Sequence, residues 1–118
     1  MKNKLLKIEE VKKKVSELKK KKLKIVHCHG VFDIVHIGHI KHLKKAKDHG
    51  DILIVTVTSD KFVNKGSNRP TFNQKKRLEF LSELESVDFV CLSNFPSATN
   101  LLKLIKPDIY VKGQDYKN

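Results

Sequence analysis

The chain has 118 residues, of which 39% are hydrophobic and 32% charged, with a formal net charge of +12. This length suggests one small domain with a single core. The apolar stretches are too short to span a bilayer, and the lysine-rich start lacks the apolar centre of a signal peptide, so a cytoplasmic protein is expected. The charge favours anionic partners such as nucleotides, nucleic acid or anionic lipid, but many of the lysines lie in "KKKVSELKKKKLK", where a solvated helix face accounts for them.

Leu5, Ile8, Val11, Val15 and Leu18 recur at helical spacing and predict an amphipathic helix ending near Lys20. "KIVHC" (24–28) reads as the first strand and "HGVFDIVHIG" as the loop after it. A helix is expected over about His39 to His49, with Ile40, Leu43 and Ala46 on one face and Gly50 as its C-cap glycine. "DILIVTVTSD" (51–60) is almost continuously apolar and β-branched, as strands buried on both faces of a parallel sheet are. A polar loop with Gly66 and Pro70 follows, then Asn73 as the N-cap of a helix carrying Leu78, Leu81 and Leu84. "VDFVCL" (87–92) is the next strand, Leu101, Leu102 and Ile105 mark a last helix ending at Pro107, and "KPDIYVKG" supplies another short strand. The alternation predicts an α/β domain with a mostly parallel sheet. Cys28 and Cys91 show neither CxxC nor zinc spacing, so two reduced, buried thiols are expected.

"HGVFDIVHIGH" (29–39) holds three histidines, two glycines and one aspartate between a strand and a helix. In open α/β sheets, ligands bind at the carboxyl ends of strands near the topological switch point. Gly30 and Gly38 permit close backbone approach. His36 and His39 open the helix, where unpaired N–H groups and the dipole attract phosphate. Imidazole donors there suit the charge that grows in phosphoryl or nucleotidyl transfer. Structural histidines are the bland alternative. Zinc ligation by His27 and His29, or by His36, His39 and His42, lacks a matching cysteine or carboxylate cluster. His42 and His49 read as surface residues, and Asp33 as a turn residue.

"GVFDIVHIGH" resembles the signature of the cytidylyltransferase-like nucleotidyltransferases, whose hallmark is an HxGH tetrad, here His36-Ile37-Gly38-His39. The tetrad also opens class I aminoacyl-tRNA synthetases, but that reading fails on length and on the lack of a second lysine-rich loop. "GDILIVTVTSD", "KGSNRPTFNQKKRLEFLSELESVDFV" and "PDIYVKGQDYKN" are most similar to heptose-1-phosphate adenylyltransferases, with glycerol-3-phosphate cytidylyltransferases next. The likeness covers residues 24–118 and implies a Rossmann-like nucleotidyltransferase fold with helices on both faces of the sheet. The division expected is an N-terminal lysine-rich helix over 1–22 and a nucleotidyltransferase domain over 23–118.

The resemblance implies transfer of AMP or CMP from ATP or CTP to a phosphorylated sugar or polyol, releasing pyrophosphate. His36 and His39 would hold the triphosphate. Lys65 in the "KG" loop would neutralise phosphate charge, and Arg77 would offer its planar fork to phosphate. The backbone of Cys28, His29, Gly30, Val31 and Phe32 would cradle phosphates beside Asp33 and Gly38, with Gly113, Gln114 and Asp115 near the base or ribose. No protein metal site is implied; Mg2+ would be held largely by the nucleotide phosphates. Family members commonly dimerise and the heptose enzymes are often fused to a sugar kinase, so a homodimer and a fused or missing downstream domain are both open. Two departures stand out. Cys28-His29 occupies a place where the heptose enzymes commonly show Thr-Asn and the glycerol enzymes Thr-Tyr. The Ser/Thr-rich motif and last helix of the family are expected to be missing, which would leave a weak, inactive or scaffold-like domain. Nucleic-acid binding through the lysine-rich helix competes with these readings, but no nucleic-acid motif is present and aromatic residues are only 7%.

Overall fold

The computed structural model describes residues 4–63 and 72–112. Its elements, in chain order, are β1 (Leu5–Leu6), α1 (Ile8–Lys20), β2 (Ile25–Gly30), α2 (Ile37–Lys47), β3 (Ile52–Thr58), a 3-10 turn (Asp60–Phe62), α3 (Gln74–Ser82), β4 (Phe89–Ser93), α4 (Thr99–Ile105) and β5 (Ile109–Lys112). The strands form one sheet in the order β1-β4-β3-β2-β5, parallel at every pairing. The expected Rossmann-like α/β architecture is present. From β2 the chain winds outward through β3 to β4, then returns to lay β5 on the other side of β2. The switch point therefore lies at the carboxyl end of β2, where the histidine-bearing loop begins.

Alternating side chains of the central strands feed two cores. Val26, Cys28, Leu53, Val55 and Val57 pack with Leu43 and Ala46 of α2 and Leu78 and Leu81 of α3. Ile25, Ile54 and Cys91 pack with Val11, Val15 and Leu18 of α1 and Leu101 and Ile105 of α4. Both cysteines are buried and reduced, and they belong to opposite faces of the sheet. Burial pushes each thiol up to about 12, Cys91 further helped by Glu9 and Glu10.

Several boundaries differ from the expectation. Leu5 is not in the first helix: with Leu6 it forms an edge strand paired with Val90 and Cys91, and α1 starts at Ile8. β2 continues through His29 and Gly30, because both pair with β3. α2 starts two residues earlier than the predicted His39. Gly50 is not a left-handed cap; a Cβ there would come within 2.6 Å of Val26 Cγ2 and 3.0 Å of Lys24 O, so close packing demands the glycine. His42 is half-buried rather than on the surface, and its Nε2 has no hydrogen-bond partner among the described residues.

Aspartates clamp three of the four strand pairings at the amino edge of the sheet. Asp51, Asp88 and Asp108 stand just before β3, β4 and β5. Asp88 N–H donates to Leu53 O at 3.0 Å, and Asp88 Oδ2 accepts from Leu53 N–H at 2.7 Å. Asp108 does the same with Ile25, and Asp51 with Lys24, each Oδ2 accepting at 2.7 Å. Each carboxylate thus extends a ladder by one rung and satisfies a backbone donor that the parallel register leaves over. Lys47 also bonds Asp88. Removing a half-buried acceptor strands its donor, which costs about 1–3 kcal/mol. Asp88→Ala is expected to lower unfolding free energy in urea by that amount, with Asp88→Asn, which keeps an acceptor, losing clearly less.

Candidate active site

β2 delivers the chain to a loop whose carbonyls are held from β3 and α3. Gly30 O accepts from Thr58 Oγ1 at 3.4 Å. Val31 O accepts from Arg77 Nη1 at 2.7 Å, and the same Nη1 donates to Thr58 O at 2.6 Å. In a trans peptide the N–H points opposite to the C=O. Anchoring these two carbonyls therefore turns the amides of Val31 and Phe32 away from Thr58 Oγ1 and Arg77 Nη1 respectively. Phe32 takes φ 53°, a left-handed conformation unusual for an aromatic residue. Its ring folds back over Gly30, where a Cβ would lie 2.9 Å from Phe32 Cε2. Asp33 Oδ1 accepts from Phe72 N–H at 2.9 Å and ties the loop to the approach to α3.

The loop ends in a reciprocal cap. His36 is the N-cap of α2, and its Nδ1 accepts from Gly38 N–H at 3.0 Å. His39, three residues on, accepts at Nδ1 from His36 N–H at 3.2 Å. This is a capping box made of two imidazoles. A ring nitrogen that accepts carries no proton, so each neutral ring carries its proton on Nε2. The ring centroids are 4.2 Å apart. The arrangement sets two side-chain donors beside the N-terminus of α2, where backbone dipoles already favour an anion.

Arg77 is placed differently from a phosphate ligand. It is 2% exposed. Besides the Nη1 bonds, Nε donates to Phe72 O at 3.1 Å and Nη2 to Asp60 Oδ1 at 2.7 Å. Its fork is thus committed to protein, joining the loop, the end of β3 and the start of α3. Gln74 adds to the joint by accepting from Asp60 N–H at 3.0 Å. Cys28 lies wholly inside the ladder, paired with both β3 and β5, so the part of the expected cradle that clears the sheet starts near Gly30. Lys65, Gly113, Gln114 and Asp115 lie outside the described residues.

The sequence reading missed a polar stripe on β2 and β3. His27 Nε2 and His29 Nδ1 each lie 2.8 Å from Thr56 Oγ1. The signal was available: His27/His29 and Thr56/Thr58 are both i, i+2 pairs, which share a face in adjacent strands. His27, fully buried, is pushed down to about 3 by burial and then by His29; burial also holds His29 below the usual range. These rings serve the threonine rather than a metal, and no group of three or more His, Cys, Asp or Glu side chains among the described residues could hold one. Between pH 6.5 and about 3 an unfolded chain binds a proton that folded His27 refuses. Its contribution to stability is therefore complete above pH 6.5 and declines as pH falls toward 3. The urea midpoint should drop between about pH 7 and about pH 5, and His27→Gln should flatten that drop; an unchanged slope would count against the assignment.

Residues 27–118 match the Cytidylyltransferase-like family. The chain is 46% identical over 111 residues to the Bifunctional protein HldE of a Nitratiruptor species, covering 92% of this chain and 24% of that one. It is 44% identical over 117 residues to the Bifunctional protein HldE of Campylobacter concisus, covering 98% and 24%. The chain thus spans about a quarter of the length of these curated relatives. The crystal structure of the lipopolysaccharide core biosynthesis protein from Thermoplasma volcanium is similar with a TM-score of 0.68 and 38% identity, covering 75% of this chain and 72% of that chain. No described helix is long and apolar enough to cross a membrane. The matched stretch takes in the loop, both capping histidines and Arg77, and the chain belongs to the Cytidylyltransferase-like family.

Proposed function

We propose that the chain is a cytoplasmic nucleotidyltransferase that moves AMP or CMP from ATP or CTP onto a phosphorylated sugar or polyol, most like a heptose-1-phosphate adenylyltransferase. The reciprocal cap of His36 and His39 carries this reading, because it fills helix-capping needs with one ring nitrogen while making the other a donor. An oxygen of the acceptor phosphate attacks the α-phosphorus in line. The bond to the bridging oxygen breaks, and pyrophosphate leaves. No covalent enzyme intermediate forms, so catalysis is positioning plus charge stabilisation. The Nε2–H groups of His36 and His39 bond phosphate oxygens as charge builds on them, and the amides of Val31 and Phe32 cradle the same chain of phosphates. Arg77 acts by holding Val31 O and does not touch the phosphates. Lys65 is proposed to neutralise phosphate charge, and Gly113, Gln114 and Asp115 to lie near the base or ribose.

The donors gathered at the loop are N–H groups, which suit phosphate oxygens and not a cation. Mg2+ would therefore accompany the nucleotide and be held by its phosphates, supplying charge neutralisation there.

A turnover matrix of ATP and CTP against heptose 1-phosphate, glycerol 3-phosphate and other polyol phosphates, read by pyrophosphate release on the full-length protein, tests the reading. ATP with heptose 1-phosphate is expected to lead. His39→Ala should lower kcat about 10²–10³-fold, the cost of removing one preorganised donor. His36→Ala should do the same while losing only about 1 kcal/mol of stability as a cap. No turnover with any pair, together with no nucleotide binding by calorimetry, would refute the proposal.

A further inference from the structure

The polar stripe of β2 and β3 has a direction that can be counted proton by proton. Thr58 Oγ1 lies 3.4 Å from Gly30 O and 3.3 Å from His29 Nε2. A carbonyl only accepts, so the single Thr58 hydroxyl proton goes to Gly30 O, and Thr58 accepts from His29 Nε2–H. A neutral His29 then has a bare Nδ1 and accepts from the Thr56 hydroxyl at 2.8 Å. With its one proton used, Thr56 accepts from His27 Nε2–H at 2.8 Å. His27 is left with a bare Nδ1, and Nδ1 is the buried ring nitrogen that has no partner among the described residues. The reverse direction would bury an orphan N–H there, the rarer and costlier defect, and would take the Thr58 proton away from Gly30 O. Both ends of the chain therefore give the same answer. Burial lowers the proton affinity of both rings, at His29 against an opposing hydrogen bond to the Thr56 backbone, and so favours the neutral forms the counting requires.

We propose that this one-way chain, from His27 through Thr56, His29 and Thr58 to Gly30 O, makes His29 a positioning residue that sets the peptide opening the nucleotide loop. Thr58 is the junction. Its hydroxyl holds Gly30 O, and its carbonyl shares Arg77 Nη1 with Val31 O. Two successive loop carbonyls are thereby referred to one residue of β3, which fixes where the Val31 and Phe32 amides point. The catalytic part of the proposal rests on the nucleotidyltransferase reading; the proton arrangement does not.

Long-range proton–nitrogen correlation spectra of the intact protein decide the arrangement. His27 and His29 should both be neutral Nε2–H tautomers, and an Nδ1–H or doubly protonated His29 would overturn the chain. Thr58→Val removes the hydroxyl at nearly constant shape. It should speed amide exchange at Val31 and Phe32 about fivefold, the factor carried by one hydrogen bond of roughly 1 kcal/mol, and leave α4 amides unchanged. His29→Phe should do the same, and His29→Gln should partly rescue it. In a protein that turns over nucleotide, both Thr58→Val and His29→Phe should raise the nucleotide KM about fivefold with a smaller effect on kcat. Unchanged exchange in folded Thr58→Val and His29→Phe would overturn the positioning role. An unchanged KM with faster exchange would confine that role to the loop and overturn its catalytic part. If no nucleotide is bound by the wild type, the function falls, while tautomers and exchange still judge the chain.

Discussion

The carboxyl edge of the sheet hangs on one buried cation. Arg77 is 2% exposed, and burying a guanidinium is costly unless its N–H groups are paired. Three carbonyls and Asp60 pair it. The partners come from the loop after β2, the end of β3, the 3-10 turn and the approach to α3, pieces that share no secondary structure. The cost of burial thus becomes a constraint: any of these pieces that moved would leave a charge or a carbonyl unpaired. A lysine could not make the joint, since its ammonium is a compact point charge and not a planar fork with donors on three nitrogens.

The two edges of the sheet are built by opposite rules. At the amino edge, short aspartates add one rung per strand and lock the register. At the carboxyl edge, the rungs stop and polar side chains take over. Phe32 with φ 53° is tolerable there because its neighbours over-determine it: Val31 O and Asp33 are both tied down, and Gly30 leaves room for the ring. Locked strand starts transmit that order upward, since a register slip at Leu53 or Ile25 would displace Thr56, Thr58 and His29 together.

How much of this was legible follows from the range of each interaction. The alternation of strands and helices was readable from local periodicity, and so was the loop's place at the switch point. The Asn73 cap was readable too, and Asn73 Oδ1 does accept from Lys76 N–H. Leu5–Leu6 was not: two residues have no period, and only pairing with β4 makes them a strand. His29 read as loop because it is polar, yet its polarity is satisfied across the strands by Thr56. Arg77 read as a phosphate ligand, and in the structure its fork reaches three carbonyls and Asp60. A fork that suits phosphate equally suits carbonyls, and only the fold decides which lies within reach. The pairing of each aspartate with a neighbouring strand start was likewise invisible, although "GDILI", "VDFVC" and "PDIYV" repeat an aspartate before each apolar run.

The choice of histidine for the cap has its own physical reason. A helix start needs an acceptor for its unpaired N–H groups, and Ser, Thr, Asp or Asn normally provides it. Aspartate would cap well but would cancel the positive end of the helix, where the proposed phosphates would lie. Lysine would attract the anion but cannot accept from the backbone. Asparagine has both an acceptor and a donor, but they branch from one carbon, so the donor stays close to the backbone that the acceptor serves. Imidazole separates the two across a ring. At His36 and His39 the Nδ1 atoms face backbone N–H groups, which leaves Nε2 on the other side of each ring. One residue type therefore completes the helix and extends its positive end outward, and two such residues three positions apart do so reciprocally. The spacing of the tetrad is that of a capping box, N-cap to N3, because the same geometry that closes the first turn also brings the two rings side by side.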